Sequence, residues 1–508
     1  MKEIYEFDTS KIENPEINTN LYEGRECISN MLQSIKECSS EVTIFVLAYN
    51  NLNKTKDCID SVFKYTKNID YNLILIDNGS SDGTFEYFKS IEYDKLQIIR
   101  INKNLGMAIT TFLFDLKWIS KYYVTLANDI VVTENWLNNL LTVAKSDKRI
   151  GLVNPMSSNV SNFQMYNMKF LDMEDMQRQA KDFNVSDPTK WQERMRIITL
   201  GTLYTKECLL AIGWPCFDCG FFHDFADDDI SFQIRRAGYK TILAGDTWVH
   251  HNHNIFYCEG KDPKKAEESL KLGRENFKTK YFGIDSWSDV SNHVFEYIDD
   301  YITMPVTTDN ISILGVDVRC GTPILDIQNS IRKYGIMKTE NSAFTGEGKY
   351  YTDLKTICTG DVICDKIELI CSCFKSGYFD FIITGKNINE YNEPEKFINN
   401  LYSLLKPGGQ LLFSLKNTFD ILTLLETMGY DLKYNDTAKH YNVDVFYGLI
   451  NKMNINIELI NCQLYAYNKI INDFANQIIK YANYKYRSEE EILERLMTDK
   501  YWFKITKH

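Results

Sequence analysis

Four apolar runs recur along the first quarter of the chain: VTIFVLAY at 42–49, YNLILID at 71–77, LQIIRI at 96–101 and YYVTLA at 122–127. A run with no polar alternation has no face to show water, so each predicts a strand covered on both sides. Between them lie stretches with a helical apolar period, such as Leu52, Ile59, Val62 and Phe63, and a further helix is expected at about 107–119. Strands that alternate with helices pair in parallel through crossovers, which dictates an α/β fold with helices on both faces of the sheet. The pattern weakens through the polar, Met-rich stretch 156–195 and returns with GTLYT at 201–205, a helix at 229–237 and the strand KTILAGDTWVHH at 240–251.

A second alternating series starts at ISILGVDV (311–318) and runs through FDFIIT (379–384), the turn KPGG (406–409) and QLLFSL (410–415). Its motifs differ from those of the first series, so the two are distinct domains and not a repeat. The expected division is an extension at 1–40, an α/β domain at 41–258, a charged helical linker at 259–304, a second Rossmann-like domain at 305–430 and a helical region at 431–508 ending in SEEEILERLM. A length of 508 residues agrees, because a single core stops growing at about 250–300 residues.

Composition narrows the partners. A net charge of −12 argues against a nucleic acid held through its phosphates. No apolar run approaches the roughly 20 residues that cross a bilayer, and the start, MKEIYEFDTSKIENPEINTN, lacks the basic and apolar regions of a secretory signal. The thirteen cysteines show no second pair to match CFDC (216–219) or CSC (371–373), so they read as reduced, buried thiols of a cytoplasmic protein.

In an open parallel sheet the ligand lies beyond the carboxyl ends of the strands. There the first series places Tyr49-Asn50-Asn51, Asp77-Asn78-Gly79 and Asn128-Asp129. Asn, Asp and Gly end strands everywhere, yet three acceptor-rich turns at one edge favour a polar ligand. DNGSSDG (77–83) lacks the G-x-G-x-x-G spacing of a dinucleotide loop, and Asp77 would repel a phosphate while accepting from a base N–H or a ribose hydroxyl. FADDDISFQIRRAG (225–238) crowds Asp227, Asp228 and Asp229 at the start of a helix expected to begin near Asp228 or Asp229. Helix capping explains one or two of them. A third is held against like charge, which raises its pKa and suits a general base. His250, His251 and His253 follow, without the spacing of a closed zinc site, so metal or phosphate binding stands beside simple packing. Trp214 and Phe222 have the surface to stack on a sugar, but core packing is the expected role of both.

Taken in order, Tyr49-Asn50, LIDNGSSDGT (75–84), NKNLGMA (102–108), LANDIVV (126–132), GTLYTKECLLAIGWPCFD (201–218) and FADDDISFQIRRAGYKTILAGDTWVHH (225–251) resemble family 2 glycosyltransferases of the GT-A fold. The resemblance implies a nucleotide-sugar donor, Mg²⁺ or Mn²⁺ on its diphosphate, and inversion at the transferred sugar. It implies that Tyr49, Asn50, Asp77, Asn78, Gly106 and Asn128 bind the nucleotide-sugar, that Asp129 binds metal with His250 and His251 as further candidates, and that Asp227 is the base with Asp228 in reserve. The sequence departs from the family at Ala127 and Ala226, where polar or acidic residues usually stand.

GVDVRCGTP (315–323), FDFII (379–383) and NEYNEPEKFINNLYSLLKPGGQLLFSL (389–415) resemble class I methyltransferases that use S-adenosylmethionine. Arg319 and Pro323 replace glycines of the cofactor loop, leaving Gly321 with Asp317 before it and Glu340 as a weak candidate for the acidic residue after the second strand. S-adenosylmethionine is therefore not expected as a cofactor. The pair of domains resembles bacterial flagellin O-glycosyltransferases, which implies a Ser/Thr hydroxyl acceptor and a UDP donor such as UDP-N-acetylglucosamine. The rival readings are a polysaccharide-building transferase, a bifunctional glycosyl- and methyltransferase, and a non-catalytic sugar- or partner-binding protein.

Overall fold

A computed structural model describes residues 3–7, 40–106, 120–213, 216–218, 220–221, 223–253, 263–294, 298–304, 310–427, 440–466, 468–481 and 487–508. The helix expected at 107–119, with Trp214 and Phe222, lies outside these residues. The chain forms two units, Met1–Asn292 and His293–His508.

The first unit is built on ten strands: β1 Glu3–Phe7, β2 Val42–Ala48, β3 Tyr71–Asn78, β4 Leu96–Ile101, β5 Tyr122–Ala127, β6 Ile130–Val131, β7 Ile150–Ser157, β8 Trp191–Arg194, β9 Thr202–Thr205 and β10 Lys240–His251. Their order is β1-β4-β3-β2-β5-β9-β7-β10-β6, with β8 against β10. The five strands from β1 to β5 are parallel, β9 runs antiparallel between β5 and β7, and β7 and β10 are parallel again. The apolar runs behave as their pattern requires. Ile44, Val46, Leu73, Leu75, Ile98 and Val124 are fully buried against Ile59 and Val62 of helix Leu52–Tyr65 and Trp136 and Leu140 of helix Trp136–Ser146. Each such side chain contributes about 1.5–3 kcal/mol by leaving water.

Two elements differ from the sequence reading. Glu3–Phe7, inside the stretch read as an extension, adds a parallel edge strand to β4, with Glu3 opposite Gln97 and Phe7 opposite Ile101. Its in-and-out alternation spans only five residues, too short to stand out in an otherwise polar segment. Pro263–Lys280, read as part of a helical linker, is helical as expected but packs into the first unit, its Phe277 ring 5.5 Å from Phe232 and 6.4 Å from Phe225. Gly273 sits where a Cβ would come 2.8 Å from the Phe225 ring, so the close approach requires glycine.

The second unit carries β11 Ile311–Val316, β12 Thr339–Thr345, β13 Val362–Cys364, β14 Phe379–Thr384, β15 Leu405–Lys416, β16 Ile457–Leu464 and β17 Thr498–Thr506, in the order β13-β12-β11-β14-β15-β17-β16. The strands from β13 to β15 are parallel, and β17 is antiparallel to both of its neighbours. The C-terminal region, expected helical, has helices at Val443–Asn451, Lys469–Tyr481 and Glu489–Met497 and also supplies β16 and β17. β17 escapes a pattern search because Lys500 and Lys504 interrupt it, although Tyr501, Trp502, Phe503 and Ile505 are buried. The cysteines described are free; Cys58, Cys208, Cys216 and Cys320 are buried as expected, whereas Cys364 and Cys371 are exposed.

Candidate active site

Strands β2, β3 and β5 end at one edge of the first sheet, and their polar ends interlock. The Asn50 N–H donates to Ser80 Oγ at 2.8 Å, and Asn50 Oδ1 accepts from Ser81 N at 2.9 Å. Asn128 Nδ2 donates to Asn50 O at 2.7 Å and to Thr55 Oγ1 at 2.8 Å. Asn78 Oδ1 accepts from Leu105 N at 2.9 Å, and its Nδ2 donates to Asn104 Oδ1 at 2.9 Å. Asn78 and Asn128 are thus engaged in holding the loops. The loop carrying Gly106, whose φ is 73°, packs so closely that a Cβ on Gly79 would lie 2.9 Å from Asn104 N. Tyr49 is 47% exposed at this edge and available to a ligand.

Asp77 differs from these neighbours. Its Oδ1 accepts from Ser80 N at 2.9 Å, but among the described residues the buried Oδ2 has no hydrogen-bond partner, and the Arg100 guanidinium lies 3.8 Å away. Burial raises its pKa above the ordinary carboxylate value against the pull of Ser80 and Arg100. A buried acceptor oxygen without a donor is a costly arrangement that an N–H of a ligand would relieve.

Asp129 follows β5 and meets the end of β10. The antiparallel register pairs His251 with Ile130, which sets His251 beside Asp129. His251 Nε2 lies 3.4 Å and His253 Nδ1 3.9 Å from Asp129 Oδ2, and ligand atoms of all three fall within 4.8 Å of one another. The rings of His251 and His253 stack with centroids 5.2 Å apart. Burial would raise the Asp129 pKa, but the hydrogen bond and charge of His251, with His253 and Lys54, bring it below its ordinary value. The carbonyl of Asn159 lies 3.1 Å from His251 Nδ1 and orients the ring with Nε2 toward Asp129. His250, expected with the metal residues, is not in this group. Successive strand residues face opposite ways, and its Nδ1 is 2.9 Å from Ser158 Oγ with the ring packed on Trp248 and Phe170. Burial lowers the His250 pKa to about 4, so the imidazole is neutral. His253, which the sequence reading kept in the histidine cluster without placing it on the metal, lies two residues past the end of β10 and joins His251 here.

Helix Ala226–Arg236 begins at Ala226, two or three residues earlier than the apolar face suggested, and its N-cap is Phe225 with a φ of 67° and no side-chain cap bond. No Asp caps it. All three occupy the first turn, where the helix dipole favours negative charge, and about 100° of rotation per residue sends each to different partners. Asp228 accepts Arg196 Nε at 2.6 Å and Nη2 at 3.1 Å and is also bonded by the Ser286 hydroxyl. Asp229 accepts from Tyr281 OH at 2.6 Å, Gln233 Nε2 at 2.7 Å and Lys280 Nζ at 2.9 Å. Both are buried, Asp228 held by Arg196 and Ser286 and Asp229 anchoring helix Pro263–Lys280. Asp227 is half-buried and accepts from the Thr199 hydroxyl. Burial first, and the adjacent Asp228 charge in addition, raise its pKa to about 6 despite the Thr199 bond.

In the second unit a cavity of about 460 Å³ opens at the carboxyl ends of the strands, lined by Asp317, Gly346, Asp365, Lys386, Glu390 and Tyr391 among others. Asp317 accepts from Gly346 N at 2.8 Å and Tyr391 OH at 3.0 Å. Arg319 holds a left-handed φ of 53°, a conformation that suits glycine. Pro323 lies in the first turn of helix Thr322–Arg332 and there removes an N–H that would face a ligand. Glu340 is set back in β12, opposite Ser312, and accepts from Tyr378 OH at 2.8 Å, so it does not stand at the strand end; Glu347, paired with Lys386 at 3.1 Å, lies just beyond it.

Among solved structures, a SAM-dependent methyltransferase from Archaeoglobus fulgidus is 15% identical, with a TM-score of 0.28 over 46% of this chain and 98% of that one. A possible histamine N-methyltransferase from Thermotoga maritima is 12% identical, with a TM-score of 0.28 over 42% of this chain and 86% of that one. No curated protein sequence matches the chain significantly. Residues 43–201, which carry Asp77 and Asp129 but stop short of Asp227 and His251, match the sequence model of glycosyl transferase family 2, and that match supports a glycosyltransferase.

Proposed function

We propose that the protein is a metal-dependent, inverting glycosyltransferase that moves a sugar from a nucleotide-diphosphate donor to a hydroxyl acceptor. The observation that carries this reading is the division of labour among its aspartates: one with an unsatisfied buried oxygen at the sheet edge (Asp77), one beside two imidazoles (Asp129) and one poised near neutrality (Asp227). Asp77 and Tyr49 would receive the nucleoside, Asp77 accepting a base N–H. Asp129, His251 and His253 would hold the cation, and one oxygen with two imidazole nitrogens suits Mn²⁺ better than Mg²⁺, which prefers oxygen ligands throughout. When bound, the cation neutralises the diphosphate leaving group. Asp227 would take the proton of the acceptor hydroxyl as its oxygen bonds the anomeric carbon and the carbon–diphosphate bond breaks.

The acceptor we propose is a protein Ser/Thr hydroxyl such as those of flagellin, and the donor UDP-N-acetylglucosamine; what supports this is the combination of a glycosyltransferase unit with a second α/β unit. No helix among the described residues is long and apolar enough to cross a membrane. The test is a screen of nucleotide-sugars with Mn²⁺, reading nucleoside diphosphate release and mass gain on candidate acceptors. Metal-dependent transfer from one donor is expected. Turnover indifferent to metal, or none with any donor and acceptor, would reject the reading. A companion measurement is calorimetry of UDP: binding is expected to strengthen with Mn²⁺, and Asp129→Ala should abolish that gain while leaving the metal-free affinity.

A further inference from the structure

The loop 157–166 touches both halves of the site without belonging to either ligand set. At its start, Ser158 Oγ accepts from His251 N at 3.0 Å. At its end it grips the stretch 196–199: Gln164 Oε1 accepts from Ile198 N at 2.8 Å, Gln164 Nε2 donates to Ile198 O at 2.8 Å, and Asn162 Nδ2 donates to Arg196 O at 3.0 Å. Gln164 is 1% exposed, so these bonds are made without competition from water. The loop is bent to reach: Asn159, Asn162 and Phe163 have φ of 50°, 63° and 52°, left-handed conformations that Asn tolerates and Phe rarely adopts. The gripped stretch is the one that addresses the acidic cluster, Thr199 bonding Asp227 and Arg196 bonding Asp228.

We propose that Gln164 is a positioning residue for Asp227: by holding both backbone groups of Ile198 it keeps the Thr199 hydroxyl on the base carboxylate. This rests on the reading of Asp227 as the base. The groups facing Asp227 are Thr199 from the gripped stretch, Tyr204 from β9, His223 from the preceding loop and Asp228 from its own helix. Of these, Asp228 disfavours the ionised form, while Thr199 and His223 favour it. Withdrawal of Thr199 therefore makes the carboxylate harder to form.

The experiment follows the carboxyl infrared band of the full chain labelled with ¹³C-aspartate, as the difference between each protein and its Asp227→Asn counterpart, from pH 4 to 8. A band titrating near about 6 is expected. Thr199→Val and Gln164→Met should both move its midpoint up by about one unit, and the double variant no further than Thr199→Val alone. Asn162→Ala, which releases Arg196 O, should move it the same way by less and carries the test if Gln164→Met does not fold. A midpoint unmoved in the Gln164 and Asn162 variants but moved in Thr199→Val overturns the proposal, even if those variants melt earlier. Absence of any band dependent on Asp227 near that pH overturns the base reading instead.

Discussion

Asp227, Asp228 and Asp229 are identical in chemistry and adjacent in sequence, yet their surroundings give them three roles. Asp227→Asn is expected to slow transfer by ~10²–10⁴-fold while nucleotide binding persists, because only proton removal is lost. In the wild type the acid limb of the rate profile should fall near about 6, since the base must be ionised. The same shift acts on stability. A carboxyl whose folded pKa lies above its unfolded value binds its proton more tightly when folded, so its contribution is present below the unfolded value of 3.8 and is lost as pH rises through about 6. Asp227→Asn should therefore melt higher than wild type at pH 7.5, with the gap closing at pH 4. Asp228→Asn should instead destabilise, because it leaves the partly buried Arg196 against a neutral partner, by about 1–3 kcal/mol measured by denaturant unfolding.

Strand β10 decides which histidines meet Asp129. Its ladder slips twice against β7, between Lys240 and Thr241 and between Ala244 and Trp248, before its last residues pair with β6. That pairing sets His251 beside Asp129 and, by strand alternation, sends His250 to the other face, while His253 follows two residues past the strand end. Mn²⁺ calorimetry should accordingly show His253→Ala and His251→Ala weakening binding by at least about 10–100-fold, whereas His250→Ala changes affinity little. Equal losses in all three variants would mean that the alternation of β10 does not govern the site. Helix Pro263–Lys280 works similarly for the acidic cluster: Lys280 and Tyr281 at its end fix Asp229, so that helix belongs to the architecture of the first unit.

For the molecule as a whole, two α/β units with different strand orders share one chain, and the family 2 glycosyltransferase match falls in the first. The second has a cavity in the place where a parallel sheet binds ligands, but Arg319 and Pro323 stand in its first loop. The melting temperature of the full chain is expected to stay within about 1 °C when S-adenosylmethionine is added at 1 mM, since a ligand that does not bind the native state cannot stabilise it. A rise of several degrees, reversed by competition with S-adenosylhomocysteine, would show that the cavity accepts the cofactor.

The local pattern alone determined much of the fold. Apolar runs such as 42–49 and 379–384 can be satisfied only as covered strands, and acceptor-rich turns at Asn50, Asp77 and Asp129 end those strands wherever they pair. Periodicity also held the alternation that separates His250 from His251 and His253. Left to the tertiary structure were outcomes set by long-range partners. Strand β17 exists because Tyr501, Trp502, Phe503 and Ile505 are buried between β15 and β16, and Glu3–Phe7 is a strand because β4 offers it an edge. Arg196 and Lys280, far along the chain, tie two of three equivalent aspartates into ion pairs and leave the third with a pKa raised to about 6. A local sequence carries its own turn and strand preferences, but a carboxylate's pKa depends on the water it loses and the charges it meets, which only the folded chain brings together.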